Sequence, residues 1–348
     1  MRQKLFRALA PEGSFFKLTH YQGFKNGKGK TMSEPEKSFS ASSILSASMH
    51  RGLSASGPNS FRAAASFDST GDRLGPLDDL AGFWQGIGFG LIARPNFADT
   101  TGSGIFLELN ILQETLELRP IGSPVMNRGS EQGDIAIYGL TYLHRVTDLV
   151  TGSALHIEPG LWLNIPATTE PASDASIARL ATIPHGNSVC TVGHSENVVF
   201  EGQPEIPPAN TVPFAIGSQP PPPGTPNPFA EYDLSKPSPN RTSPLPAEIT
   251  QDLINDPNVM LRNALKPQNL KKIVRLITNT PSAGSIGNIP FITTNADTPS
   301  LESVFAIETV QNPAGDEFLQ LQYSQTALLN FRGLSFPHVT VGTLIKAF

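Results

Sequence analysis

The sequence predicts a mainly β protein built as one antiparallel barrel of roughly ten strands. Three observations carry that prediction. Charged residues make up only 16% of the 348, while Pro reaches 32 and Gly 30, a texture suited to short strands and turns rather than long helices. From Leu77 onward, polar and apolar residues alternate with period two in successive runs punctuated by Gly and Pro. The apolar share of 39% is enough for a substantial core, which excludes disorder of the whole chain.

The elements follow in order. The first 75 residues hold 11 of the 25 Lys and Arg against five acids, a local charge of +6, and residues 38–60 contain nine Ser. Such a stretch buries too little surface to offset its chain entropy, so residues 1–76 are expected to form a mobile basic extension. Its composition resembles that of an organelle-targeting segment, and Met32 offers an alternative start; without targeting, the location is expected to be cytoplasmic. The barrel domain is expected over 77–348. Gly82-Phe83-Trp84-Gln85-Gly86-Ile87-Gly88 opens it, with Trp84 closing one end. Strands follow within 105–119, 135–143, 154–165, 177–183 and 189–193.

Residues 204–229 carry ten Pro and read as polyproline-like loop. The spacing of Ile249, Leu253, Ile254 and Leu261 predicts a helix over 247–264 with an interruption at Pro257. Together they form an insertion over about 203–285, although 270–278 returns to strand alternation. Four last strands are predicted at 289–293, 303–310, 318–329 and 336–344, with Asn312-Pro313-Ala314-Gly315-Asp316 as a turn. Barrels of this size can enclose a ligand cavity.

Several functions are excluded or left without support. A net charge of −5 argues against a nucleic-acid binder, and no apolar run approaches a membrane span. The lone Cys190 rules out a disulfide framework or Cys-cluster metal site. There is no Gly-x-Ser-x-Gly elbow and no phosphate-binding loop, and Gly86-x-Gly88-x-Gly90 lies in a strand rather than before a helix.

Of the seven His, His20 and His50 fall in the extension. His156 and Glu158 share one strand face, which suits either an acid–base pair or a structural hydrogen bond. His185, between Pro184 and Gly186, sits at a turn that either lines the barrel mouth or lies on the surface. His144 and Arg145 read as an ordinary polar strand end. His338 shares a face with Phe336, Thr340 and Leu344, while Val339, Val341 and Ile345 occupy the other, and the pattern does not decide which points inward. Arg94 and Arg128 lie in loops where they suit an anionic head group, with an Arg128–Asp134 ion pair as the plainer alternative.

The Gly-x-Trp-x-Gly-x-Gly motif at 82–88 resembles the signature of the nitrobindins, compact calycin-like haem-binding barrels related to fatty-acid-binding proteins. Three segments in the same order are also similar: Leu155-His156-Ile157-Glu158-Pro159-Gly160-Leu161-Trp162, Ala181-Thr182-Ile183-Pro184-His185-Gly186, and Pro337-His338-Val339-Thr340-Val341-Gly342. The resemblance covers 77–200 and 288–348. It implies haem b held by His338 as metal ligand, with Trp162, Arg94, Arg128 and His185 around it. It further implies His156 and Glu158 as an acid–base pair for peroxidase-like, peroxynitrite or nitric-oxide chemistry. Two other readings stand beside it: a haem-free carrier of a hydrophobic small molecule, and a cofactor-free isomerase or cyclase using His156–Glu158. Compact barrels of this type often pair as homodimers, but no interface can be read from the sequence.

Overall fold

The computed structural model describes residues 71–199, 202–280 and 284–347. The targeting-like stretch, His20 and His50 lie outside the described residues. Ten antiparallel strands form the barrel: β1 (Gly82–Pro95), β2 (Ile105–Pro120), β3 (Ile135–Asp148), β4 (Ala154–Ile165), β5 (Ser176–Ile183), β6 (Asn187–Val199), β7 (Asn269–Asn279), β8 (Leu301–Gln311), β9 (Glu317–Phe331) and β10 (Leu334–Ala347). Each pairs with the next, and β10 returns to pair with β1, so the sheet closes without a free edge around its girth.

Register fixes the faces. Trp84 opposes Leu116 and Lys346, Gly86 opposes Glu114 and Leu344, and Gly88 opposes Leu112 and Gly342. These even-numbered positions point inward, as do Tyr142, His144, Glu158, Trp162, Arg179, Phe305, Tyr323 and His338, by their places in the same ladders. The base of the barrel is packed solid. Trp84 and Trp162 are fully buried there among Leu116, Leu118, Leu140, Leu276 and Leu344. The stretch before β1 plugs this end: a turn of helix at Gly71–Leu74 and a 3₁₀ turn at Gly75–Leu77 insert Leu74 and Leu77, Leu80 follows, and the Leu80 carbonyl accepts from Trp84 Nε1 at 2.8 Å. Part of the segment expected to be mobile thus belongs to the core. The apolar side chains explain why, since each is almost fully removed from water.

The insertion covers the outside of the barrel. Phe89, Leu91 and Ala93 of β1, Leu107 and Leu109 of β2, and Val339 and Val341 of β10 point outward yet are buried beneath Tyr232, Ile249, Leu253, Ile254 and Leu261. Where β2 runs past its pairing with β3, the insertion satisfies its edge: Leu107 N–H donates to Asn240 O at 2.9 Å and Thr242 N–H to Leu107 O at 3.0 Å.

Three details differ from the sequence reading. The helix expected over 247–264 starts later, at Gln251, and divides at the expected interruption around Pro257 into Gln251–Asn255 and Val259–Leu265. Strand β7 falls inside the span assigned to the insertion, so the excursion from the barrel ends before Asn269. The strand expected at 289–293 is instead a short helix, Pro290–Asn295. Pro290, at its first position, has the fixed φ that starts a helix, and the Thr294 hydroxyl donates back to Pro290 O at 2.9 Å, overriding the strand preference of the β-branched residues.

Candidate functional site

Burial on the inner face changes abruptly along the barrel axis. At the level of Glu114, His144 and Tyr323, and among the leucines and tryptophans beneath them, inward side chains are sealed from water. Beyond it, towards Arg94, they keep part of their surface accessible: Phe106, Glu108, Asn110, His156, Gln325, Ala327, His338 and Thr340 are all half-buried. Inward-facing residues that remain accessible line an open hollow. Its rim is oily, because Phe97, Val150, Ile289 and Phe291 are exposed on the loops at this end.

Two carboxylates form its floor, each held by a tyrosine and a histidine. Glu114 Oε2 accepts from Tyr323 OH at 2.7 Å and lies 2.7 Å from His144 Nε2. Glu158 accepts from Tyr142 OH and from Arg179, whose Nε is 3.1 Å from Glu158 Oε1, and its Oε2 lies 3.1 Å from His156 Nε2. Arg179 also donates to Gln325 Oε1 at 2.6 Å. Its guanidinium lies against the Phe305 ring, 5.2 Å from the centroid.

Burial alone would raise the Glu158 pKa, but the adjacent Arg179 charge and the hydrogen bonds from His156 and Tyr142 hold it well below the carboxylate range. Burial pushes the Tyr142 phenol up. The ionised carboxylate and neutral phenol are therefore stable partners.

Glycines make room for this floor. A Cβ on Gly342 would lie 2.4 Å from the Tyr323 ring, one on Gly88 would lie 2.2 Å from Glu114 Oε1, and one on Gly160 would lie 2.6 Å from the Tyr142 ring. The last two Gly of the 82–88 motif thus do different jobs: Gly86 admits β10, its Cβ position being 2.1 Å from Thr343 O, and Gly88 admits the carboxylate.

Three imidazoles face the hollow. His156 and His185 stack with centroids 6.0 Å apart. Burial, then the like charge of His156 and His185, pushes the His338 imidazole down to about 4. Burial and His156 also lower His185, against an opposing pull from Glu108. His338 is therefore neutral at physiological pH. Among the described residues its one contact of hydrogen-bond type is a long 3.4 Å approach of Nε2 to Thr340 Oγ1.

The structure brings four of the sequence-selected residues together: His156, Glu158, His185 and His338. Arg94 stands at the mouth on the same inner face, bonded to Glu108 at 2.9 Å and lying over the Phe106 ring at 4.5 Å. Trp162 faces inward but is sealed in the base against Phe305, at 5.3 Å between centroids. Arg128 lies at the opposite end, in the exposed loop before β3, where it pairs with Asp134.

Sequence reading passed over Glu114, Tyr142, Arg179 and Tyr323, and it took His144 for an ordinary polar strand end, whereas the ring is buried against Glu114. Glu114 carried a usable signal, since it keeps the strand phase of Leu112, Leu116 and Leu118 and so falls on the apolar side of the alternation.

No family profile and no curated protein matches the chain. Among solved structures, Rv2717c from M. tuberculosis aligns at 16% identity over 79% of this chain and 97% of its own, with a TM-score of 0.39. A likeness at that level decides nothing about ligand or activity. Among the described residues no helix is long and apolar enough to cross a membrane.

Proposed function

We propose that the open end of the barrel binds haem, with His338 as the iron ligand. The observation that carries this reading is the state of His338: inward-facing, partly accessible, neutral, and without a strong protein partner. A neutral imidazole presents the lone pair that haem iron takes, whereas a pKa near 4 makes it a poor general base at pH 7. Among the described residues no three metal-ligating side chains converge, so a metal held by His338 would have to arrive with most of its coordination supplied, as haem iron does.

The remaining residues suit such a guest. Phe106 and Ala327 offer apolar wall, the rim is oily, and the Arg94 guanidinium stands where a carboxylate edge would emerge. Bound haem would supply an iron site for nitric oxide, peroxide or peroxynitrite, in the manner of the nitrobindins that the 82–88 motif resembles. This chain's own contribution would be His156, whose ring ionised Glu158 orients beside the guest.

The test is a titration of the purified protein with haemin, followed by its Soret absorption. A one-to-one complex is expected, at least ten-fold weaker in His338→Ala and unchanged in His194→Ala, whose side chain is exposed on the outer face. Equal affinity and an identical spectrum for His338→Ala would remove the assignment. Native mass spectrometry of the same sample reads the mass of any apolar guest carried in place of haem.

A further inference from the structure

The insertion leaves a second concavity on the outside of the barrel. Between the Pro-rich segment 204–220 and the outer faces of β7, β8 and β9 lies a groove of about 900 Å³, in the size range of small-molecule sites. It stands on the other side of the wall from the hollow. In β7–β9 the groove takes the alternate residues Ile277, Val304 and Leu328, whose neighbours in sequence point inward.

Its chemistry is one-sided. Glu196, Glu205, Glu302 and Glu308 line it, and among the described lining residues Arg275 is the only basic group. Arg275 is itself shared with Glu196, Nη1 to Oε2 at 3.4 Å. Glu308 is 1% exposed and accepts from Gln320 Nε2 at 2.8 Å. Burial raises it to about 7, with Gln320 and Arg275 offsetting only part of that cost.

Two more acceptors stand unmet. Asn258 Oδ1 and Gln322 Oε1 are buried without a hydrogen-bond partner among the described residues. Their amide N–H groups are already used, Asn258 Nδ2 on Pro207 O at 2.8 Å and Gln322 Nε2 on Leu261 O at 3.1 Å. A buried acceptor left unpaired is costly, and a wall of surplus acceptors and carboxylates is complementary to a ligand that brings donors and positive charge.

We propose that this groove is a second binding site, separate from the hollow, for a small amphipathic cation: an ammonium head set beside Glu308 and the unmet amide oxygens, with an apolar body running past Ala306 to Val304 and Ile277. Nothing in it depends on haem, and it stands or falls apart from the reading of His338.

The experiment is calorimetric titration of the full chain at pH 7 with dodecylamine, dodecanol and dodecanoate, each below its micellar concentration. The amine is expected to bind at least ten-fold more tightly than the other two. Glu308→Gln, nearly isosteric, should weaken it at least three-fold, while Glu302→Gln, an exposed substitution about 20 Å along the same strand, should leave it within two-fold. Ala327→Trp, which obstructs the hollow, should leave the amine affinity within two-fold. Equal binding of dodecanol, absence of amine binding, an unchanged amine affinity in Glu308→Gln, or loss through Ala327→Trp would each overturn the proposal.

Discussion

Replacing Arg179 by Met tests whether the barrel floor is held by charge. Arg179 is 3% exposed and Glu158 1%, so the substitution leaves a carboxylate stranded in the core with only Tyr142 and His156 beside it. The guanidinium gives up its bonds to Glu158, Tyr142 and Gln325. At roughly 1.5 kcal/mol or more for each hydrogen bond to a charged group, less the packing that Met restores, the loss falls in the range of about 3–5 kcal/mol found when one partner of a buried pair is removed. For a domain of this size that is a fall in melting temperature of about 5–9 °C.

Urea unfolding at pH 7 gives the number, and Arg179→Met/Glu158→Gln gives the control. With neither charge left alone, the double variant should recover more than half of the loss. The pH dependence has a definite sign. Glu158 is held low in the fold, so its contribution is complete above its unfolded value of about 4.3 and drains away as pH falls below it. Arg179→Met should therefore flatten the stability profile below about pH 5. A loss under about 1 kcal/mol, or strict additivity in the double variant, would refute the ion-pair account.

Two further outcomes follow from the same floor and wall. His338 is depressed to about 4 in the fold, so the protein should lose stability as pH falls from about 6.5 towards 4. The imidazole's share is on the order of 2 kcal/mol after discounting for its accessible surface. His338→Phe should remove that share in urea melts compared at pH 7 and 4.5, and an undiminished pH difference would contradict the burial of the ring. Gly342→Ala should cost about 1–3 kcal/mol by pressing a methyl into Tyr323, and less in a Tyr323→Leu background; an equal cost in both would mean that the ring is not the obstacle.

How much of this was legible in the sequence depends on which face water reaches. Strands β4, β5 and β7 are bounded within a residue of their predicted ends because one face of each alternates plainly. Strand β10 could not be oriented in the same way. Its Val339 and Val341 look like core, and they are buried, but beneath the Leu253–Leu261 stretch on the outside, while His338 and Thr340 point in. An insertion that covers the outer wall makes both faces apolar and erases the signal of period two. The polar floor was hidden for a different reason: Glu114, His144, Tyr323, Glu158 and Arg179 come from five strands, and only barrel closure brings them to one level. His156 and Glu158 were visible because two residues on one strand already share a face.

The sealed base also sets what the hollow can accept. From Gly88, level with the carboxylate floor, to Arg94 at the mouth, β1 runs six residues, about 20 Å along the strand and about 15 Å along the axis at a usual barrel tilt. A guest of that depth meets ionised Glu158 and Arg179 at its inner limit only through Tyr142, His156 and Gln325, which consume their hydrogen bonds. The Glu158 half of the floor is thus satisfied, while Glu114 Oε1 has no hydrogen-bond partner among the described residues, and the imidazoles of His185 and His338, both lowered by burial, offer electron pairs to the space. On the proposed reading the apolar body of haem lies inside and its carboxylates stay at the rim, where the Arg94 guanidinium, paired with Glu108 yet 46% exposed, has donors left for a second acceptor.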